Sequence, residues 1–554
     1  MTDKMSHGKI ILILIAIAYF FLMAGNGLIS LTHPDEVFYI QTAKEMLAHR
    51  SFMTPYIFDQ PQFEKPILTY WLLMLSIKLF GMTAFAARFW PALFGIIGVV
   101  ATYGLGFMLF KNKRIAFLSA FVLSTNIIYL VLSRAVLTDM IFSIWVVLSL
   151  IFFYYGHIEQ KNKNIGIILC FVFSGLAVLT KGLLGFVFPA AVILSYLIYK
   201  KDWTYFNNRT TFLGIFLFIV IAVPWHILMI KQYGQGFIDE YFKNVHMRRI
   251  FEAEHQKSNT WYFYLVTMIG GIFPWSLFLF PAGYLIYKSF KNSNPDRDRI
   301  FFLLIWITVI IFIMQIAQSK LASYIFPVFP AIAVLVGYYF NSILDSKNNP
   351  KLQRSMQICS YLMSALMILV SVVVIILSRR YITFLVHVWP FYIFSVLSLC
   401  CSAAIFIFNK RAQYAAVIGS LSSVILIILA LAFLGYSYAE PWVSCREICN
   451  VFNKMNTKSS TVLCSKFLVR GVRFYTNRDT AVIDNNGVGF FSPHPVPFLN
   501  SDDKILNFFN NQSTTYCIVK KGDVKDIERI IKGRFKVTSV DEIGGKYLLI
   551  VSKI

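Results

Sequence analysis

Two adjacent carboxylates, Asp35 and Glu36, stand directly after the first long apolar run of a 554-residue chain. A third acid, Asp139 in SRAVLTDM, lies between two later apolar runs. Cations recur at the same kind of boundary: Lys65 in FEKPIL, Arg134, Lys181 in TKGLLG, Arg248 and Arg249 in HMRRIF, and Lys320 in SKLASY. An ionisable group beside hydrocarbon is costly and is a functional candidate by default. Lys and Arg, with a tyrosine such as Tyr324, are suited to donate to phosphate oxygens. A carboxylate close by can act as general base or hold an acceptor for in-line attack. The chemistry these residue types describe is group transfer from a phosphate-bearing lipid.

Each residue also has a plainer reading. Asp139 suits the first turn of a helix and Asp35, after Pro34, suits a helix start. Lys181 and Lys320 can snorkel from helix ends. His246 and His255 read equally well as loop histidines, and Arg248 and Arg249 can pair with Glu252 and Glu254 on a solvated face. Their coincidence on one side of one topology favours the chemical reading.

That topology follows from composition. The chain is 57% hydrophobic and 14% charged, the signature of a polytopic helical membrane protein. Candidate spans cover 9–30, 87–110, 115–132, 136–155, 165–180, 182–199, 211–231, 261–287, 300–317, 321–341, 356–378, 382–408 and 413–435. The first has the basic flank of a signal peptide but is long and lacks a clear cleavage site, so it reads as a retained helix. The stretch 66–80 would rise only about 22 Å as a helix, short of the roughly 30 Å hydrocarbon core. With 34–49 it reads as a pair of interfacial helices in the first loop.

The positive-inside rule decides the orientation. If 66–80 does not cross, MTDKMSHGK, KNKR, EQKNKN, KKDWTYFNNR, KSFKNSNPDRDR, DSKNNPKLQR and NKR share the N-terminal side. Of the alternate short loops only the one holding SRRY is comparably basic. Thirteen spans then place the N-terminus in the cytoplasm, the acids and cations above on the outer face, and residues 436–554 outside. The net charge of +24 resides largely in the inner loops, where it sets orientation and meets anionic lipid, and no nucleic-acid partner is implied.

Two domains are expected: a transmembrane domain over 1–435 and a small α/β domain over 436–554. In the latter TVLCSKFL, TAVID, TTYCIVK, FKVTSV and KYLLIVS read as strands, with helices near 441–454 and 522–532. Cys445 and Cys449 lie one helical turn apart and are candidates for a bridge outside the cytoplasm.

Seven segments in order resemble a known family: HPDEVFYIQTAKEML, QFEKPILTYWLLMLSIKLFG, AARFWPALFG, SRAVLTDM, TKGLLG, HMRRIFEAEHQKSNTWYFY and SKLASYIFPVFPAIA. Together they resemble the bacterial lipid A aminoarabinose transferase and protein O-mannosyltransferase family of C-type integral-membrane glycosyltransferases. The likeness covers about residues 10–345. It implies an undecaprenyl-phosphate-linked sugar donor entering from the membrane, a periplasmic cavity above two interfacial helices, and inverting transfer to lipid A or a related acceptor in the bacterial inner membrane.

Carried over by position, the resemblance implies catalytic roles for Asp35 and Asp139. It implies donor-phosphate contacts from Lys65, Arg249, Tyr324, Lys181 and Lys320, and substrate contacts from Glu36, Tyr39, Glu64, His246 and His255. The family motif Asp-Glu-x-Arg-Tyr reads DEVFY here, with Phe38 in place of the arginine, which leaves the sugar and the acceptor open. A divalent cation bridging Asp35 and Asp139 suits carboxylate chemistry, although nothing in the spacing demands one and no other cofactor is indicated. The competing readings are a protein O-mannosyltransferase acting on Ser or Thr, and a lipid-linked saccharide transporter. The transporter calls for mid-membrane charges and Gly/Pro-broken helices in related halves, whereas the charges here cluster at helix ends. A purely structural scaffold would explain the apolar spans but not the ordered motifs.

Overall fold

The computed structural model describes residues 4–158, 160–253, 258–292, 294–345, 349–380, 388–455, 461–487, 489–490 and 495–554. His255 lies outside them. Two compact units emerge, one built from Met1–Ala24 with Arg88–Leu434 and the other from Gly25–Ala87 with Gly435–Ile554.

The first unit is a helical membrane domain. Among the described residues nine helices are long and apolar enough to cross a bilayer, or up to eleven if two bent pairs each count as one span. Two shorter apolar helices, His7–Leu22 and Leu184–Lys200, fall on further predicted spans, so each of the thirteen segments contains a helix among the described residues; the start of the segment 382–408 lies outside them.

The boundaries shift where local chemistry intervenes. The first helix ends at Leu22 instead of near residue 30, because the chain turns through Gly25 at φ 77°, a conformation that Gly adopts without steric cost. The span expected over 115–132 is two helices, Lys113–Ser124 and Ile127–Ser133, bent by 63°. Asn126 caps the second by accepting from the Tyr129 N–H at 2.8 Å, and the Ile127 N–H donates to Phe273 at 2.9 Å. The span over 261–287 is likewise broken into Phe263–Gly271 and Ser276–Lys291, bent by 113°, around Pro274, which has no N–H to continue a helix.

The second unit joins the first loop to the C-terminal segment. Helix Asp35–Ala48 and helix Leu68–Phe80 match the paired helices expected over 34–49 and 66–80. Between them β1 (Tyr56–Ile57) and β2 (Gln60–Pro61) form an antiparallel hairpin whose turn residues, Phe58 and Asp59, both have positive φ, as a type I′ turn requires.

The C-terminal segment carries a six-stranded sheet in the order β5-β4-β3-β6-β8-β7. The strands are β3 (Val462–Ser465), β4 (Thr480–Ile483), β5 (Phe498–Leu499), β6 (Thr514–Lys520), β7 (Phe535–Ile543) and β8 (Lys546–Lys553). The first four in spatial order run parallel and the last two pairings are antiparallel. Gly544 and Gly545, both at positive φ, make the tight β7–β8 turn. Leu463, Ile483, Phe509, Val519, Ile527 and Leu549 close the core.

All five predicted strands are present, but TVLCSKFL stops being a strand at Ser465 and leads into helix Val469–Thr476. The helix expected over 441–454 divides at Ser444–Cys445 into Tyr436–Val443 and Arg446–Lys454. No bridge joins Cys445 to Cys449. Both are free thiols, fully buried, and burial pushes the Cys445 thiol up to about 12, which keeps it protonated and unreactive.

Candidate functional site

Two groups of residues gather the predicted chemistry, one in each unit. In the membrane unit Asp139 occupies the first turn of helix Thr138–Ile158 and Lys181 ends helix Lys163–Lys181. Lys181 Nζ donates to Asp139 Oδ1 at 2.6 Å, and the two side chains are only 10% and 9% exposed. The ammonium also lies 4.9 Å from the ring centre of Tyr324 and 5.4 Å from that of Phe142. One carboxylate and two aromatic faces take the place of the water that the Lys181 side chain loses.

Tyr324 sits on the 3-10 turn Ala322–Val328. The stretch before it is pinned to the helical turn Arg249–Phe251: the Gln318 and Ser319 N–H groups donate to the Ile250 and Arg249 carbonyls, both at 3.1 Å. Lys320, buried, donates to Asn259 Oδ1 at 2.6 Å. Arg249 follows an eleven-residue π-helix, Ile238–Arg248, a rare conformation that is frequent at functional sites. On it His246 Nδ1 lies 2.6 Å from the Tyr241 carbonyl. A carbonyl only accepts, so Nδ1 carries the proton and a neutral ring offers Nε2 as an acceptor.

Gly182, next to Lys181, makes this approach feasible. Its φ is 101°, and a Cβ there would stand 2.4 Å from His246 Nε2 and 2.8 Å from the Tyr241 hydroxyl. Gly182→Ala should displace His246 and strain the turn by about 1–3 kcal/mol. The expected result is correctly inserted protein with a lower melting temperature and reduced alkylation protection of a cysteine substituted at Ala322, measured against the parent.

In the second unit Asp35 and Glu36 open helix Asp35–Ala48. Glu36 is buried and accepts from both the N–H and the hydroxyl of Thr32 at 2.9 Å, which ties down the chain entering the helix. Asp35 is open, with 66% of its side chain exposed. Tyr39 packs edge-on to Phe38 and against Tyr70. Glu64 is held through its backbone N–H on Gln62 Oε1 at 3.0 Å, and half-buried Lys65 follows it.

Two arginines that the sequence reading did not single out complete this group. Arg470, on helix Val469–Thr476, lies 3.6 Å from Asp35 Oδ1 and 3.9 Å from Glu64 Oε1. Its guanidinium stacks 4.5 Å above the Phe38 ring. Arg473, one turn on, pairs with Asp59, with Asp479 at 2.9 Å and with Glu45 at 3.6 Å. Their sequence signal was two arginines three apart in VRGVRFYT, obscured by the central glycine.

His33 lies beside the same helix, edge-on to Phe467 and 3.6 Å from Cys445 Sγ. Burial first, then the charges of Lys546 and Lys520, hold its pKa down from 6.5 to about 4. A depressed histidine is neutral in the fold, so its contribution is intact above pH 6.5 and is lost as pH falls towards 4. The melting temperature of the second unit should drop across that window, and His33→Gln should flatten the drop.

Among the described residues no group of three or more His, Cys, Asp and Glu side chains is placed to hold a metal ion.

The family model described as dolichyl-phosphate-mannose-protein mannosyltransferase matches residues 9–233. An undecaprenyl phosphate-alpha-4-amino-4-deoxy-L-arabinose arabinosyl transferase of Yersinia enterocolitica is 31% identical over 316 residues, which is 56% of this chain and 55% of that protein. The similarly named transferase 2 of Proteus mirabilis is 28% identical over 315 residues, 56% of this chain and 55% of that one. The chain thus spans just over half the length of these relatives. The crystal structure of ArnT from Cupriavidus metallidurans bound to undecaprenyl phosphate superposes with a TM-score of 0.79 at 20% identity, covering 98% of each chain. The resemblance carried by the seven ordered segments, and the polytopic helical fold with a small α/β domain, are borne out.

Proposed function

Taking kinship with the polyprenyl-phosphate-sugar transferases as premise, we propose that this chain is an inverting glycosyltransferase of the bacterial inner membrane. It moves a sugar, with 4-amino-4-deoxy-L-arabinose the first candidate, from undecaprenyl phosphate to lipid A or a related periplasmic acceptor. In this reading thirteen spans leave the N-terminus cytoplasmic and put the 436–554 domain in the periplasm.

The observation that supports it most is the buried Asp139–Lys181 pair against Tyr324. An ammonium fixed at a helix end, with a phenol beside it, is suited to a phosphate leaving group. Lys65, Arg249, Tyr324, Lys181 and Lys320 share the role of stabilising the departing polyprenyl phosphate. Donors fixed in advance where charge develops are each worth about 10²–10³ in rate. Asp139 keeps Lys181 aimed.

The acceptor oxygen attacks the opposite face of the anomeric carbon. If it is a hydroxyl, Asp35 removes its proton; if it is a lipid phosphate, already ionised, Asp35 orients acceptor or sugar. Glu36, Tyr39, Glu64, His246 and His255 complete the substrate contacts, with Glu36 acting through Thr32.

The test uses membranes holding this protein with undecaprenyl-phosphate-linked aminoarabinose and lipid A. Mass spectrometry should detect lipid A heavier by one aminoarabinose residue. The family model's own description favours one second reading, transfer of mannose to protein. A Ser/Thr acceptor peptide glycosylated in place of lipid A would establish that reading and overturn the first.

A further inference from the structure

Helix Val469–Thr476 does more in this unit than cover the sheet. Its two arginines sit three residues apart and so project on one side. Arg473 is the anchor: its guanidinium reaches Glu45 and Asp59 of the first loop and Asp479 at the start of β4. Glu45 is fixed in turn, accepting from the Phe58 N–H at 3.2 Å, the Asp59 N–H at 2.9 Å and Gln41 Nε2 at 2.6 Å. Lys44 adds a bond to Asn477 Oδ1 at 3.3 Å. The helix is therefore clamped to helix Asp35–Ala48 at one end.

Arg470 sits one turn nearer the acids. Its side chain is 17% exposed, with Phe38 as an apolar floor and Asp35 and Glu64 on its polar edge. The floor is specific, since a guanidinium on an aromatic face loses little hydration and gains cation–π attraction. Glu64 is only 15% exposed whereas Asp35 is 66% exposed, so the arginine faces one part-buried carboxylate and one exposed one. Residue 38 is also where the chain departs from the Asp-Glu-x-Arg-Tyr motif.

We infer that Arg470 is a positioning residue for Asp35: from the far end of the sequence it supplies the cation that sets the Asp35 and Glu64 carboxylates relative to each other. This rests on the transfer reaction proposed above for its consequence in turnover, though not for the contact itself. Arg470 acts on the carboxylates and needs no contact with the reacting atoms.

The full-length protein in lipid nanodiscs provides the test, with undecaprenyl-phosphate-linked aminoarabinose and lipid A as probes. Arg470→Leu should lower kcat about 100-fold with donor KM within threefold of the parent. Arg470→Lys, a point charge unable to span two carboxylates, should fall between. Phe38→Arg combined with Arg470→Leu returns a guanidinium to the same spot and should recover at least tenfold of the loss, which a merely structural role would not do. Labelling of Asp35 by a water-soluble carbodiimide, read by mass spectrometry, needs no turnover. It should rise severalfold in Arg470→Leu and fall back in the double variant. Unchanged kcat in Arg470→Leu, or labelling that ignores residue 470, would overturn the inference. Silence of the parent with lipid A and with a Ser/Thr acceptor peptide alike would remove the proposed function and leave the labelling experiment to decide the contact.

Discussion

With a hydroxyl acceptor, Asp35→Asn should reduce transfer about 10³-fold, within the 10²–10⁴ range of a lost general base, while abundance and insertion stay at parental values. The separation of the two effects is structural. Asp35 is an exposed residue in a helix first turn, so loss of its charge costs stability at most about 0.3–1 kcal/mol through the helix dipole. Asn preserves its shape and its capacity to accept one hydrogen bond but cannot take a proton. Single-turnover transfer with purified protein is the measurement. A variant that turns over normally would take Asp35 out of the chemistry and shift attention to Asp139.

Arg473→Ala should act in the opposite manner, through stability. Removing it leaves the Glu45 carboxylate, 5% exposed, without its guanidinium, and removing one partner of a buried pair costs about 3–5 kcal/mol. That is a large fraction of the total stability of a domain. Limited proteolysis of the full-length protein should cut the first loop and the C-terminal segment together, with the membrane helices left protected. Arg473→Met, which keeps the aliphatic stem, should recover part of the loss. Cleavage confined to one of the two segments would show that Arg473 does not join them.

The membrane helices were legible because twenty-residue apolar runs have few other uses, and helix Leu68–Phe80 because it is a shorter run of the same apolar character. The acids and the lysines were legible as charges out of keeping with their surroundings: Asp139 and Lys181, forty-two residues apart, turn out to be one buried pair. Arg470 and Arg473 were not legible. Each is an ordinary cation in a polar segment, and its meaning comes from acids more than four hundred residues earlier. Helix Val469–Thr476 was hidden because VLCSKFL continues the strand pattern into a stretch where Gly471 weakens helix propensity. The small side chain is nonetheless needed there, as a Cβ would press on Cys445 Sγ at 2.9 Å. The breaks at Asn126 and Pro274 escaped for a related reason: hydropathy registers how apolar a run is, and a bend between two apolar halves leaves that unchanged.

The second unit is assembled from Gly25–Ala87 and Gly435–Ile554, which has a consequence for the order of manufacture. A ribosome delivers the first piece early and the second only after Arg88–Leu434 has been made. Until then Asp35 and Glu64 exist without Arg470, and Glu45 without Arg473. A copy that stops before helix Val469–Thr476 therefore lacks the ion pairs that join the two pieces.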